Sequence, residues 1–555
     1  MVNTRSHPHR AERRISTLVL VAILSALFGA GVQRTFTSLS AVSNSEEIGR
    51  SGFDVKKNAL AVIAARQNAT IHGLESALTL LTQEKVARRG EKRQSRYVDD
   101  GPTEEKVDVT KIKNQREEEC EYNFGAGLVA QYRKSKETWC QGLEANLECY
   151  SKRLEYNPGK TGIFCVGKNI VIDFAKVHGE RQTKKQARGA NSYLTFTDSA
   201  TSADCKRTKH WNSGILMKHM SAQLRNFPAA AYKNYDEDRK GTTYLMARDE
   251  DCENMFHSTA DFLNAFLVGQ VLNLDWHQVH LLLWDRHPDG PFFDLIQRSY
   301  SKKQQIYRPQ NFGSKKVRFE HLIFHLESPA SIIFPKVAGP KGIMRCFRSS
   351  LWLGYKDHIL ASFGLLHIQP PNNPKILLSV RRRTPAKNVG RVFADEKQLT
   401  SVLNKGQAMQ FEVIDFGSIS FAQQLEKVRR TNILIGAHGA GLMHTIFLAE
   451  EAILLEIHPS YRLDRHFRLA ARMAGKIYLP MRSMQPVSCS GTSDAIPIDS
   501  KQFESVLDAA LRIARAFDDG IAECGLSCDL RLLALDPGAS VPPGTKPLTT
   551  RFPCR

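Results

Sequence analysis

From Lys375 onward, short apolar runs and helix-start signals alternate along the chain. Ile376–Val380, Phe411–Phe416, Ile433–Ala437 and Ala452–Ile457 are continuous apolar stretches of strand length. After the first run Asp395 can cap a helix to about Leu403, and after the second Ser420 with Gln423 fits a capping box opening a helix to Arg430. Strands apolar on both faces and separated by helices predict a parallel sheet covered on both sides. The ligand of such a sheet binds beyond the carboxyl ends of its strands. Upstream, Thr242–Ala247 and Val279–Trp284 read as strands and Phe292–Tyr300 as a helix, a weaker version of the same alternation. After Pro486, a helix over about Phe503–Phe517 precedes a tail containing Pro537, Pro542, Pro543 and Pro547.

The opening of the chain follows another pattern. Ile15–Val32 is eighteen residues without a charge, about 27 Å of helix, close to the thickness of a hydrocarbon core. Arg5, Arg10, Arg13 and Arg14 precede it against the single Glu12, so the positive-inside rule leaves the N-terminus cytosolic and the remainder lumenal. Small residues at Ala26, Gly29, Ala30 and Gly31 also fit a cleavable signal peptide, but the length of the apolar run favours an anchor. The expected organisation is a cytosolic tail (1–14), a transmembrane signal anchor (15–32), a stem (33–119), an upstream α/β domain (120–370), a downstream α/β domain (371–485), and a helix with a proline-rich tail (486–555). In the stem, Leu60, Ala64, Ile71, Leu74, Leu78 and Leu81 fall near heptad spacing, which allows a homodimer through a short coiled coil. Asn68-Ala69-Thr70 is an N-glycosylation sequon there.

Eleven cysteines suit an oxidising compartment, and an odd number leaves at least one outside any intrachain pair. The cluster Cys120, Cys140, Cys149 and Cys165 reads as local disulfide staples. Lysine and arginine (77) exceed aspartate and glutamate (57), a formal net charge of +20. A lumenal domain meets no nucleic acid, so the charge points to anionic membrane or a phosphorylated small molecule. The densest basic stretch, Ser301–Arg318, reads first as a solvated surface.

The chemistry concentrates in Gly436–Leu442, a glycine-rich turn that follows the third strand and opens a helical segment. Such a turn lets backbone N–H groups approach a phosphate or a sugar, with the helix N-terminus favouring negative charge. Its plain alternative is a tight turn whose glycines are needed for positive φ. His438 can hydrogen-bond a diphosphate. Arg381, Arg382 and Arg391 offer planar forks for the same group, or surface ion pairs with Asp395 or Glu396. Glu456, on the fourth strand, suits the hydroxyls of a ribose or sugar.

The sequence Ile433–Leu442, with its His438-Gly439-Ala440-Gly441-Leu442 loop, followed by His444 and by Ile453–Glu456, resembles glycosyltransferase family 61. The resemblance extends to the strand ending in Arg381 and Arg382, to Arg391, to Asn254, His257 and Asp261 in the spacing Asn-x-x-His-x-x-x-Asp, and to Cys120 with Phe124-Gly125. Arg465-His466-Phe467 and that cysteine-rich opening are similar to the plant-type N-glycan β-1,2-xylosyltransferase branch. Ala394 departs from the Asn usual in the family. The resemblance implies a GT-B-like fold, two Rossmann-like halves facing a cleft, and an inverting transferase using a UDP-sugar. Because Arg381, Arg382 and the loop at His438 can meet the diphosphate charge, no essential metal or cofactor is expected. The implied donor site comprises Arg381, Arg382, Arg391, His438, Gly439, Ala440, Gly441, His444 and Glu456. His257 and Asp261, one helical turn apart, are the candidates for the catalytic base. The expected reaction moves xylose from UDP-xylose to the core mannose of N-glycans in the Golgi membrane. The alternatives are a UDP-N-acetylglucosamine transferase acting on protein Ser/Thr or O-mannosyl glycans, a metal-dependent GT-A enzyme using Asp249-Glu250-Asp251 or Asp236-Glu237-Asp238, and a non-catalytic lumenal glycan-binding protein.

If Ile15–Val32 is the anchor, a chain starting near residue 100 will be secreted in soluble form, whereas the full chain will sediment with membranes. Unchanged membrane association after removal of residues 1–32 would contradict the assignment.

Overall fold

A computed structural model describes residues 109–518 except 155–158, 182–193, 198–199, 209–233, 249–250, 303, 335–345, 372, 383–389, 406–409, 451, 460–465 and 484–494. The expected anchor, most of the stem, Asn68, Asp249, Glu250, Arg465 and the C-terminal tail lie outside the described residues. Among the described residues no helix is long and apolar enough to cross a membrane.

Two helices, α1 (Val109–Phe124) and α2 (Ala126–Lys134), lead into three strands, β1 (Glu137–Gln141), β2 (Asn146–Arg153) and β3 (Thr161–Asp173). There follow β4 (Glu237–Met246), α3 (Met255–Leu272), β5 (Val279–Leu283), α4 (Phe293–Tyr300), β6 (Lys316–Phe324) and α5 (Ser350–Ser362). The upstream strands form one nine-stranded sheet in the order Ile306–Tyr307, β5, β4, β6, β3, β2, β1, Lys206–Arg207, with Thr201–Ser202 also on β3. The part built from Ile306–Tyr307, β5, β4 and β6 is parallel, but β6–β3, β3–β2 and β2–β1 are antiparallel. This half is therefore mixed rather than Rossmann-like. The β2–β3 hairpin, tied by Cys149–Cys165 across directly paired positions, supplies the antiparallel edge.

The downstream half matches its expectation closely. It contains β7 (Lys375–Ser379), α6 (Glu396–Lys405), β8 (Gln410–Ile414), α7 (Phe421–Arg429), β9 (Ile433–Ala437), a 3₁₀ segment (Ala440–Phe447), β10 (Ile453–His458), α8 (His466–Met473), β11 (Ile477–Arg482) and α9 (Ser500–Asp518). The order β8-β7-β9-β10-β11 is parallel throughout. Asp395 Oδ1 accepts from the Gln398 backbone N–H at 3.0 Å at the start of α6, and Ser420 and Gln423 form the reciprocal capping box of α7. Alternate strand residues serve opposite faces. Ile376, Leu378, Ile433, Ile435, Ile453 and Leu455 pack with α6 and α9, while Leu377, Leu434 and Leu454 pack with α7, the 3₁₀ segment and α8.

That second face is also where the two sheets meet. One apolar core joins Tyr244, Met246, Leu281, Leu283 and Ile323 of the upstream sheet to Leu377, Leu434 and Leu454 of the downstream one, with α3 between them. Fifteen of the eighteen residues of α3 are buried, so the helix has no solvated face. Asn254 caps its start by accepting from the Phe256 N–H at 3.0 Å, and Asn273 ends it in the left-handed conformation.

Of the three disulfides among the described residues, Cys149–Cys165 is a local staple. Cys140–Cys205 and Cys120–Cys346 span 65 and 226 residues and join segments distant in sequence. Cys252 is buried and unpaired. The basic surface around Lys315 and Arg318 is neutralised by Glu237 and Asp238, which also accounts for the upstream acidic triplet.

Closing a 226-residue loop constrains the unfolded chain by about 5 kcal/mol in the loop-entropy account. Replacing Cys120 and Cys346 together by Ser is expected to cost roughly 2–5 kcal/mol in denaturant unfolding. An unchanged midpoint would show that the tie contributes nothing.

Candidate active site

In the downstream sheet the chain leaves β7 to form β8 on one side and then crosses to β9 on the other. The crevice between the carboxyl ends of β7 and β9 is thus the topological switch point, where open α/β sheets bind ligands. Arg381 lies two residues past the end of β7, and His438 follows β9 directly. The glycines between them are there for space rather than for turn geometry. None of Gly436, Gly439 and Gly441 has φ in the left-handed region, and Gly439 is extended with φ 170°. A β-carbon at Gly439 would lie 3.1 Å from Arg381 Nη1, and one at Gly436 would lie 2.9 Å from Leu442 Cδ2. The loop is bare so that a guanidinium can lie against its backbone.

His438 is buried and held from two directions. Its Nδ1 is 2.5 Å from Glu456 Oε1, and its ring lies edge-on to Phe467 at 5.0 Å and stacked on His458 at 5.4 Å. Glu456 has no exposed surface. Tyr478 donates its hydroxyl proton to Glu456 Oε2 at 2.8 Å, and His458 Nε2 lies 3.4 Å from the same oxygen. Burial alone pushes the Glu456 carboxyl up, but the hydrogen bonds and charges of His438 and His458 outweigh it and bring it down to about 2. Glu456 is therefore an anion whose oxygens are already engaged. The expectation that it meets sugar or ribose hydroxyls is corrected: it supports the loop from beneath.

The other expected donor residues divide into two groups. Arg381 is half-buried at the switch point, whereas Arg382 is exposed and paired with Glu396 at 2.8 Å, the ion-pair alternative. Arg391 is half-buried with φ 58°, a left-handed conformation unusual for a residue other than glycine. Ala440 and Gly441 open the 3₁₀ segment, Ala440 packing on the shared core and Gly441 against Phe416. His444 does not reach the crevice. It is buried beneath the segment, stacked on Phe416 at 4.1 Å, with Nδ1 2.8 Å from the Gly441 carbonyl and Nε2 2.8 Å from Gln424 Oε1.

His257 and Asp261 sit on the first turns of α3. Although far from the loop in sequence, His257 is linked to it by a run of aromatic contacts through Phe256 and Phe467. The His257 ring neighbours Phe256 and Phe334; Phe256 packs on His466 and Phe467, and Phe467 packs on His438. His257 is half-buried and Asp261 is buried near Arg248, itself locked to Asp285 by a two-pronged ion pair of 2.8 and 3.0 Å. Asp251 closes a turn before α3 by accepting from the Glu253 N–H at 3.0 Å.

Sequence reasoning missed His458 and Tyr478. A signal for the first exists in Ile453–His458: Ile453, Leu455 and Ile457 form one apolar face, whereas the other runs from Leu454 to Glu456 to His458. Two polar residues two apart in an otherwise buried strand mark a network rather than a core. Tyr478 has no such mark, because only the pairing of Leu454 with Tyr478 brings β11 alongside.

The depressed Glu456 pKa has a consequence for stability. Its folded value, about 2, lies below the unfolded value of roughly 4.3. The stabilisation is present above pH ~4.3 and is lost as pH falls toward 2, on the order of 3 kcal/mol in total. Glu456→Gln should therefore be less stable than the parent at pH 6, with the gap narrowing from about pH 4.5 downward in thermal denaturation. A gap independent of pH would mean that the carboxylate is not held as an anion.

Residues 255–455 match the model of the family described as Glycosyltransferase 61. The match begins at the first residue of α3 and ends one residue before Glu456. Relatives named EGF domain-specific O-linked N-acetylglucosamine transferase align with the chain from several animals. The Gallus gallus protein is 24% identical over 279 residues, 48% of this chain and 50% of its own length. The Drosophila melanogaster protein is 27% identical over 312 residues, 53% of this chain and 57% of its own. The Bos taurus protein is 24% identical over 376 residues, 65% and 67% respectively. The chain spans about half the length of the first two. The crevice bounded by Arg381 and His438 thus lies within the segment that matches the glycosyltransferase family 61 model.

Proposed function

We propose that the chain transfers a sugar with inversion from a UDP-sugar to a glycoprotein, with the donor's diphosphate bound between Arg381 and the 438–441 loop. The observation that carries this reading is the bare loop itself: at the switch point a guanidinium lies where a side chain at Gly439 would stand, beside a buried His438. A fixed guanidinium and a fixed imidazole suit the charge that develops on departing UDP. They also meet that charge without a divalent cation, so transfer should be metal-independent.

The acceptor belongs on the α3 side of the crevice, in a two-lobed arrangement of the GT-B kind. His257, the more exposed of the two candidates, serves as the base, and Asp261 supports it from within the core. Names of the relatives favour N-acetylglucosamine as the sugar and a protein hydroxyl as the acceptor. Xylose transfer to N-glycans is the competing outcome, supported by the resemblance around His466 and Phe467. The enzyme works in the Golgi lumen, held by a type II anchor.

The reading predicts that Arg381→Ala and His438→Ala each weaken UDP binding by about 1.5–3 kcal/mol, ten- to a hundredfold, in calorimetry. His257→Ala should bind UDP normally and lose on the order of 10²-fold in turnover. Activity should survive EDTA. Turnover with UDP-N-acetylglucosamine and an acceptor protein, against UDP-xylose and an N-glycan, identifies the donor. Normal UDP binding by both donor-site variants would place the nucleotide elsewhere.

A further inference from the structure

We infer that His458 and Tyr478 are positioning residues for His438, orienting its ring through Glu456 so that Nδ1 is committed to the carboxylate and Nε2 is presented to the donor's diphosphate, which it meets as an N–H donor when the ring carries both protons. The inference rests on the donor-site reading above and adds the device that makes His438 usable there.

The proton inventory of the cluster admits one arrangement. Ionised Glu456 only accepts. It takes Nδ1–H from His438 at 2.5 Å and the hydroxyl proton of Tyr478 at 2.8 Å. Tyr478 has then spent its only proton, so its oxygen must accept from His458 Nε2, 2.9 Å away. His458 is thereby fixed with its proton on Nε2, and His438 with a proton on Nδ1. A flipped His438 ring would put a carbon against the carboxylate and forfeit the bond. Phe467 on one side and the stacked His458 on the other restrict that flip.

Other groups touch this chain without breaking its logic. The Arg468 guanidinium lies over the Tyr478 ring at 5.9 Å, and Arg381 lies across the loop at Gly439. The ligand atoms of His438, Glu456 and His458 also lie within 4.8 Å of one another, close enough to raise the question of a metal. A tetrahedral zinc, however, holds its ligand atoms roughly 3.3 Å apart, and the 2.5 Å contact between His438 and Glu456 is that of a direct hydrogen bond. The Tyr478 hydroxyl fills the remaining lobe of the carboxylate in the way a hydrogen-bond network requires.

A purely structural role would damage the protein regardless of His438, and a double-mutant cycle separates the two cases. With the full-length chain, UDP affinity by calorimetry and kcat and KM for transfer are measured for Tyr478→Phe, His458→Gln and His438→Ala, and for the two double variants carrying His438→Ala. Tyr478→Phe and His458→Gln are each expected to weaken UDP binding about 3- to 10-fold in the parent background. On the His438→Ala background each should change it by less than about twofold. Equal losses in both backgrounds, or none in the parent, would overturn the positioning role while leaving the donor site intact. Unchanged UDP affinity in His438→Ala would instead remove the donor-site reading itself. One equivalent of bound metal in the parent, lost in His458→Gln, would replace the proton chain by a metal centre. If Tyr478→Phe fails to fold, the His458→Gln arm decides alone.

Discussion

The all-round burial of α3 is the constraint on which the rest of the molecule depends. A helix of this length with no solvated face must find cover on every side. It finds it in the upstream sheet, in α5, and in the 3₁₀ segment that follows the His438 loop. Sliding or separating the two sheets would expose Phe262, Phe266 and their neighbours, at a cost proportional to the apolar area uncovered. The first turn of α3, carrying His257, is therefore registered against the loop by this packing. Two groups proposed for opposite ends of one reaction sit on elements that cannot be placed independently.

Within that frame the loop solves an electrostatic problem. A crevice proposed to hold a diphosphate needs positive charge and hydrogen-bond donors, yet groups taken out of water to supply them lose solvation. Glu456 offsets this from beneath the loop. Because its oxygens are met by hydrogen bonds, it remains ionised despite having no contact with water. The negative charge is thus placed where it steadies His438 and kept from the crevice, where it would oppose an anionic ligand.

How far the sequence disclosed this depends on whether a feature is local. The downstream sheet was legible because its central strands are buried on both faces, so runs such as Ile433–Ala437 stand out, and because Asp395 and Ser420 cap their helices through bonds to residues three positions away. The upstream sheet was less so: β4 begins Glu237-Asp-Arg-Lys-Gly, a half-buried to exposed, ion-paired half, and among its residues only Thr243, Tyr244, Leu245 and Met246 are buried. The mixed topology there is set by β3 lying between β2 and β6, a pairing across some 150 residues with no local trace. Two of the disulfides misled for the same reason: nearness of Cys120 and Cys140 to Cys149 and Cys165 in sequence says nothing of the distant segments that carry Cys346 and Cys205, whereas Cys149–Cys165 is local as expected. At the site, His438 and Arg381 were visible as motifs, while the roles of Glu456 and His444 were not. Both look accessible in a string of letters, and only packing reveals them as buried supports.

The glycines of the loop show why residue type can be read more securely than the reason for it. Glycine is required where φ is positive or where another atom must come close, and a sequence cannot separate the two. Here the backbone torsions of Gly436, Gly439 and Gly441 are ones that other residues can adopt, and the demand comes from Leu442, Arg381 and Phe416 pressing on the absent side chains. A positive-φ requirement would have made the loop a self-contained turn, indifferent to its surroundings. A steric requirement ties each glycine to a particular neighbour, and for Gly439 that neighbour is the guanidinium at the mouth of the crevice. The conformation of the loop and the placement of its charge are in that sense one constraint, met by leaving side chains out.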